Sequence, residues 1–250
     1  MSTIDERRKM ASAGLDDQQT GAGGVATRVF LQPIAAPSIL GLFGFAGATF
    51  IVASHLAGWW GDTDSPLYLA PFAATFGGIA QFTAGMWAYR ARDAVATAMH
   101  GMWGAFWIAY GVLNILLAAG ALKAASPPWH DPELGFWFFA LAVITASGAL
   151  ASLAESVGLF AVLSTLAAGS GIAAGALIYG SHGWAEVAGW VFVASAICAW
   201  YVATAMMLLA AGGRVVLPLG KYSRAANRPG SRPVRPIELE WAEPGVKMGQ

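Results

Sequence analysis

Charge is scarce in this sequence. Only 11% of its 250 residues are Asp, Glu, Lys or Arg, against roughly 25% in an ordinary soluble domain. Its 14 basic and 14 acidic side chains cancel, so there is no excess of positive charge to draw a nucleic acid, and no nucleic-acid partner is expected. The single cysteine, Cys198, excludes a disulfide within the chain. Catalytic signatures are missing as well. The sequence has no HExxH, no phosphate-binding glycine loop and no strand–turn–helix serine motif. An enzyme is therefore not expected, and neither is a cofactor or a metal.

The charges that exist are kept out of six stretches: Pro37–Trp60, Pro66–Tyr89, Met99–Leu122, Leu134–Ala154, Val157–Gly180 and Val187–Ala211, each 21 to 25 residues long. A bilayer's hydrocarbon core is about 30 Å thick, which a helix crosses in roughly 20 residues. A soluble protein has no reason to repeat that length with every charge excluded, and 57% hydrophobic residues would leave it with large exposed apolar patches. The expected fold is all-α, a polytopic membrane protein of six transmembrane helices.

Thirteen of the 14 basic residues fall in the N-terminal tail, the second and fourth loops or the C-terminal tail, and only Lys123 lies opposite. By the positive-inside rule both termini are inside, N-in/C-in, in a multi-pass plasma-membrane protein. Residues 1–32 read as a disordered cytoplasmic tail with no cleavable signal, 33–220 as the membrane domain, and 221–250 as a disordered cytoplasmic tail rich in Arg and Pro. Trp59, Trp60, Tyr68, Trp87, Tyr89, Trp129, Trp184 and Tyr201 belong at headgroup level. Pro66, Pro71, Pro127, Pro128 and Pro132 are expected in loops or first turns. Glycines recur in the spans, including the GxxxG of Gly171 and Gly175. Tight helix packing is the plain reading of these small residues, and a narrow pore lining is the alternative.

With no Asp or Glu in any of the six stretches, a proton pump or ion-driven antiporter fits poorly, since such proteins carry ionisable groups in the membrane at a cost of about 2.5–3.5 kcal/mol or more. What remains polar is neutral: Thr49 and His55 in the first stretch, Gln81 in the second, Asn114 in the third, with scattered hydroxyls. Amides in hydrocarbon must face protein or water. Thr49, His55, Gln81 and Asn114 are thus candidates either for interhelical glue or for lining a path that holds a small polar solute loosely. His55 lies near the outer end of its span, where an interfacial role competes with a proton relay.

Several runs resemble the acetate uptake transporters, the succinate–acetate permease family. Leu40–Phe45, LGLFGF, resembles part of the family's Asn-Pro-Ala-Pro-Leu-Gly-Leu signature. Gly77–Arg90, Gly104–Trp107, Ala188-Gly189-Trp190, Ala199-Trp200-Tyr201 and Leu217–Lys221 are similar to its later motifs in order and spacing. The leading Asn and second Pro of the signature are absent here, where Ala36, Pro37, Ser38 and Ile39 stand. The resemblance implies a six-helix protomer with its own pore, assembled as a homohexamer, that carries acetate and related short carboxylates such as succinate, as a channel or with protons. It places the pore constriction at Phe45, Trp103 (usually Tyr in the family) and Leu166, and a selectivity position at Ala199. His55 and Gln81 also match family positions. Two other readings stand beside this one: a channel for small neutral solutes or undissociated acids, and a non-transporting membrane scaffold whose tails bind partners.

Overall fold

A computed structural model describes residues 34–125, 129–222, 227 and 229. Both expected tails lie almost wholly outside the described residues. Within the described residues the protein is helical, with no strand. The elements are α1 Pro37–Leu56, α2 Ser65–Phe72, a π-helical segment Ala73–Ala80, α3 Gln81–Ala91, α4 Ala94–Ala118, α5 Pro132–Ser152, α6 Val157–Tyr179 and α7 His182–Gly212. Of these, α1, α4, α5, α6 and α7 are each long and apolar enough to cross a bilayer.

Local chemistry sets the helix ends. Asp93, Asp131, Ser156 and Ser181 each accept a hydrogen bond from the backbone N–H three residues on, at 3.0 to 3.5 Å, which satisfies an orphan donor of the first turn. Pro37 and Pro132 occupy first positions, where a missing N–H costs nothing. Gly180 and Gly213 end α6 and α7 in the left-handed region. The caps also move the boundaries. Asp93 starts α4 five residues before the charge-free stretch does, and α7 begins at His182 and runs straight through Glu186. A charge at a helix end sits outside the hydrocarbon and does not stop the helix.

The second charge-free stretch departs most from expectation. It is a continuous helical run of three segments rather than one helix, and none of the three is long enough alone to span. Pro71, expected in a loop or first turn, lies inside α2. Its ring removes a donor from the ladder, and two residues later the backbone widens into the π segment. Thr75 donates back to the carbonyls of Pro71 and Phe72 at 2.9 and 3.2 Å, a bond that also loosens helical winding.

α1 is central. It packs along α7 on one side and against the π segment and α3 on the other, while α5, α6 and α7 stack in sequence and α4 lies along α3 and the π segment. Small residues permit the approach: a Cβ on Gly189 of α7 would fall 2.5 Å from the backbone nitrogen of Ala57. Gly171 and Gly175 do not take part, since both have open space where a Cβ would sit. Large apolar side chains cover the outside, among them Phe72 (62% exposed) and Ile115 (62%), as a surface solvated by lipid requires.

Candidate functional site

Three helices each turn one stripe of side chains toward a shared cavity. α1 supplies Ser38, Leu42 and Phe45; α4 supplies Ala96, Met99, His100 and Trp103; α6 supplies Leu159, Val162, Leu163 and Leu166. All three sets follow the spacing that places residues on one helix face. Gln81, the first residue of α3, completes the wall, with Asp93 and Glu155 at the turns before α4 and α6. The cavity with its open mouth takes in about 410 Å³, and only a small part of that is wide enough for a water-sized molecule. That is room for one or two waters, or for a solute only a few atoms across.

The cavity begins where α1, α4 and α6 begin, at Ser38, Asp93 and Glu155. A second depression of about 340 Å³ shares Ser38, Leu42, Glu155 and Leu159 and adds Leu219 and Lys221. The chain after α7 shapes this mouth. Val157 N–H donates to the Gly220 carbonyl at 3.1 Å, and Gly158 N–H to Leu219 at 3.0 Å. Tyr201 Oη–H donates to Pro218 at 2.7 Å, and Tyr222 to the Leu153 carbonyl. Pro218, Leu219 and Gly220 are thereby tied to the bundle.

At its inner end the cavity stops against Phe45, Trp103 and Leu166, each only 2% exposed and all members of one buried cluster. The rings of Phe45 and Trp103 meet edge-on, centroids 6.3 Å apart at 69°. Trp103 is locked from behind. Its Nε1–H donates to Thr145 Oγ1 on α5 at 2.9 Å, and its ring rests on Phe106 at 5.3 Å. The indole thus offers the cavity a hydrocarbon face and keeps its one donor occupied.

The other candidates from the sequence scatter. Gln81 joins the cavity, and its Nε2 lies 3.5 Å from His100 Nδ1. Thr49, one turn beyond Phe45, is buried with Oγ1 unpartnered but does not line the cavity. Ala199 is fully buried in the same core as Phe45 and does not line the cavity. His55 sits at the far end, its Nδ1 3.0 Å from the Trp60 carbonyl. Asn114 donates to Tyr110 of its own helix at 2.9 Å, the local bond of a structural amide. The polar cavity residues not proposed as site residues from the sequence are His100, Asp93, Glu155 and Ser38. His100 carried a signal, as one of only two histidines in the six stretches. No group of three metal-binding side chains occurs among the described residues.

A family model described as the GPR1/FUN34/yaaH family matches residues 19–219. The succinate-acetate/proton symporter SatP of Escherichia coli K12 is 27% identical over 191 residues, 75% of this chain and 96% of that protein. Ammonia transport outward protein 2 of Saccharomyces cerevisiae is 29% identical over 177 residues, 70% of this chain and 62% of that protein. Among solved structures, that of the bacterial acetate channel SatP superposes with a TM-score of 0.67 at 26% identity, covering 75% of this chain and 100% of that one.

Proposed function

The chain belongs to the GPR1/FUN34/yaaH family, and on that premise we propose that it carries acetate and related short carboxylates across the membrane, succinate among them. The observation that carries this reading is the cavity of α1, α4 and α6, closed by Phe45, Trp103 and Leu166, in a bundle that shares its fold with an acetate channel. Three large side chains meeting in a layer make a size filter. Passage then requires only that their rotamers part, while the walls remain fixed by helix packing. Leu42, Val162 and Leu163 accommodate a methyl group, and Gln81 and His100 meet the polar end. Thr49 and Ala199 continue the route beyond the filter.

In this reading the composite run Ser65–Ala91 makes the sixth crossing, both termini lie in the cytoplasm, the cavity opens inward at the plasma membrane, and six copies assemble with one pore each. Uptake of labelled acetate into proteoliposomes tests it. Flux above protein-free vesicles that saturates, and that succinate and unlabelled acetate inhibit, is expected. No such flux under any pH gradient rejects the reading, and a dependence on that gradient separates proton-linked carriage from a channel. A second reading, a channel for small neutral solutes, draws on one observation: neither Lys nor Arg lines the cavity.

A further inference from the structure

Two atoms on the cavity wall, Gln81 Oε1 and Asp93 Oδ2, are buried without a hydrogen-bond partner. Both are acceptors when Asp93 is ionised. The carboxylates of Asp93 and Glu155 line the cavity, and neither Lys nor Arg does. A carboxylate anion placed there would bring two more acceptors and a like charge into a poorly solvated space, which is costly on both counts. A solute carrying a donor would instead complete what the wall leaves open.

His100 supplies the other half. Where the Gln81 amide donates to Nδ1 across the 3.5 Å contact, the ring proton resides on Nε2, which has no hydrogen-bond partner among the described residues. The pair then leaves one acceptor, Gln81 Oε1, and one donor, His100 Nε2–H. Where the amide is turned over and Nδ1–H donates to its oxygen, the pair leaves the amide donors and Nε2 as acceptor. Either assignment offers both a donor and an acceptor. A neutral carboxyl group has the complement, an O–H that donates and a C=O that accepts. A carboxylate has acceptors alone, and an ammonium has donors alone.

The imidazole is held in place. A Cβ on Gly41 would lie 2.5 Å from His100 Cε1, so the ring packs directly on the α1 backbone. The charged or titratable groups lining the cavity with His100 are Asp93 before α4 and Glu155 before α6. α1 contributes only the hydroxyl of Ser38, and α3 the Gln81 amide.

Resting on the acetate-transport reading, we propose that His100 and Gln81 form a recognition site for the undissociated form of a short carboxylic acid, next to the Phe45–Trp103–Leu166 layer. The acid takes its proton from water on one side and returns it on the other, and no bond to the protein forms or breaks. His100 makes the site selective for the protonation state of the cargo.

Isotope-edited infrared difference spectra of labelled acetate, bound to the full-length protein in vesicles near neutral pH, test this. Bound acetate is expected to show the C=O band of a carboxylic acid, although the free solute is ionised. His100→Phe keeps an aromatic ring but removes both nitrogens, and should weaken that population about tenfold, the worth of a hydrogen bond or two. His100→Gln, which restores a donor and an acceptor, should recover it. In the unaltered protein acetamide, neutral with the same donor–acceptor pair, should displace the acid band, whereas methylammonium should not. Carboxylate bands alone, no bound signal in a protein that transports, or an acid band indifferent to both His100→Phe and acetamide overturns the inference. In each of those cases acetate flux leaves the transport reading intact, whereas absence of flux removes that reading itself.

Discussion

Phe45, Trp103 and Leu166 come from three different helices, and what makes them a layer is register. Each stands seven residues beyond a residue at the mouth, namely Ser38, Ala96 and Leu159, so two helical turns lead to one depth. Trimming this layer should widen it. Trp103→Ala and Leu166→Ala are expected to admit lactate in proteoliposome competition assays, with Leu166→Ala also costing about 2–5 kcal/mol of stability for the void it leaves. An unchanged acid preference in both variants would argue against a size filter. The indole also shows the limit of a single sequence. Trp103 reads in the sequence as bulk in an apolar stretch, but its bond to Thr145 cannot be read without knowing that α4 and α5 are neighbours. Asn114 and His55 were polar letters in apolar text, yet one bonds its own helix and the other closes a surface loop. Polarity alone does not tell these roles apart.

The helices themselves were legible wherever hydropathy and capping agreed. Ser156 and Asp131 open α6 and α5 next to uninterrupted apolar runs, and those elements match the charge-free stretches closely. Pro66–Tyr89 was harder to read. Its composition is that of any span, while Pro71 and the Gly77-Gly78 pair divert the winding. The π segment is tightly enclosed. A Cβ on Gly77 would come within 2.5 Å of the Trp107 ring and 2.7 Å of Ala48. Gly77→Ala should therefore overpack α1, α4 and the π segment together, lowering stability by about 1–3 kcal/mol. A thermal midpoint in detergent equal to that of the unaltered protein would show that the segment has slack. The C-terminal stretch teaches the same lesson from the other direction. Leu217–Gly220 closes the expected membrane domain without the hydropathy of a span, and backbone bonds to the first turn of α6 and burial of Leu219 hold it in the bundle.

For the molecule as a whole, orientation is argued from the bias of basic residues, and it decides which side the cavity faces. Cysteine placed at Lys123 should react with an impermeant maleimide added outside intact cells, and cysteine at Arg90 only after the membrane is opened, in a background where Cys198 is replaced. The reverse pattern would turn the cavity outward. The exposed apolar side chains of α2, the π segment and α4 lie on the outside of the single chain, and the mass of the detergent-solubilised particle tests whether six copies associate.

That this chain lives in a bilayer, is built of helices and keeps its charges at the ends follows from the sequence alone, because the cost of a charge or an unpaired amide in hydrocarbon acts on each residue wherever its neighbours fall. The family was visible for a related reason, since its motifs are local strings. Only the tertiary structure decided which polar groups meet. Gln81 and His100 lie 19 residues apart, and Asp93 and Glu155 share a cavity although they stand on different turns. Hydrogen-bond complementarity is a property of groups within a few ångströms of one another, and packing against Gly41 and along α1 is what brings them there.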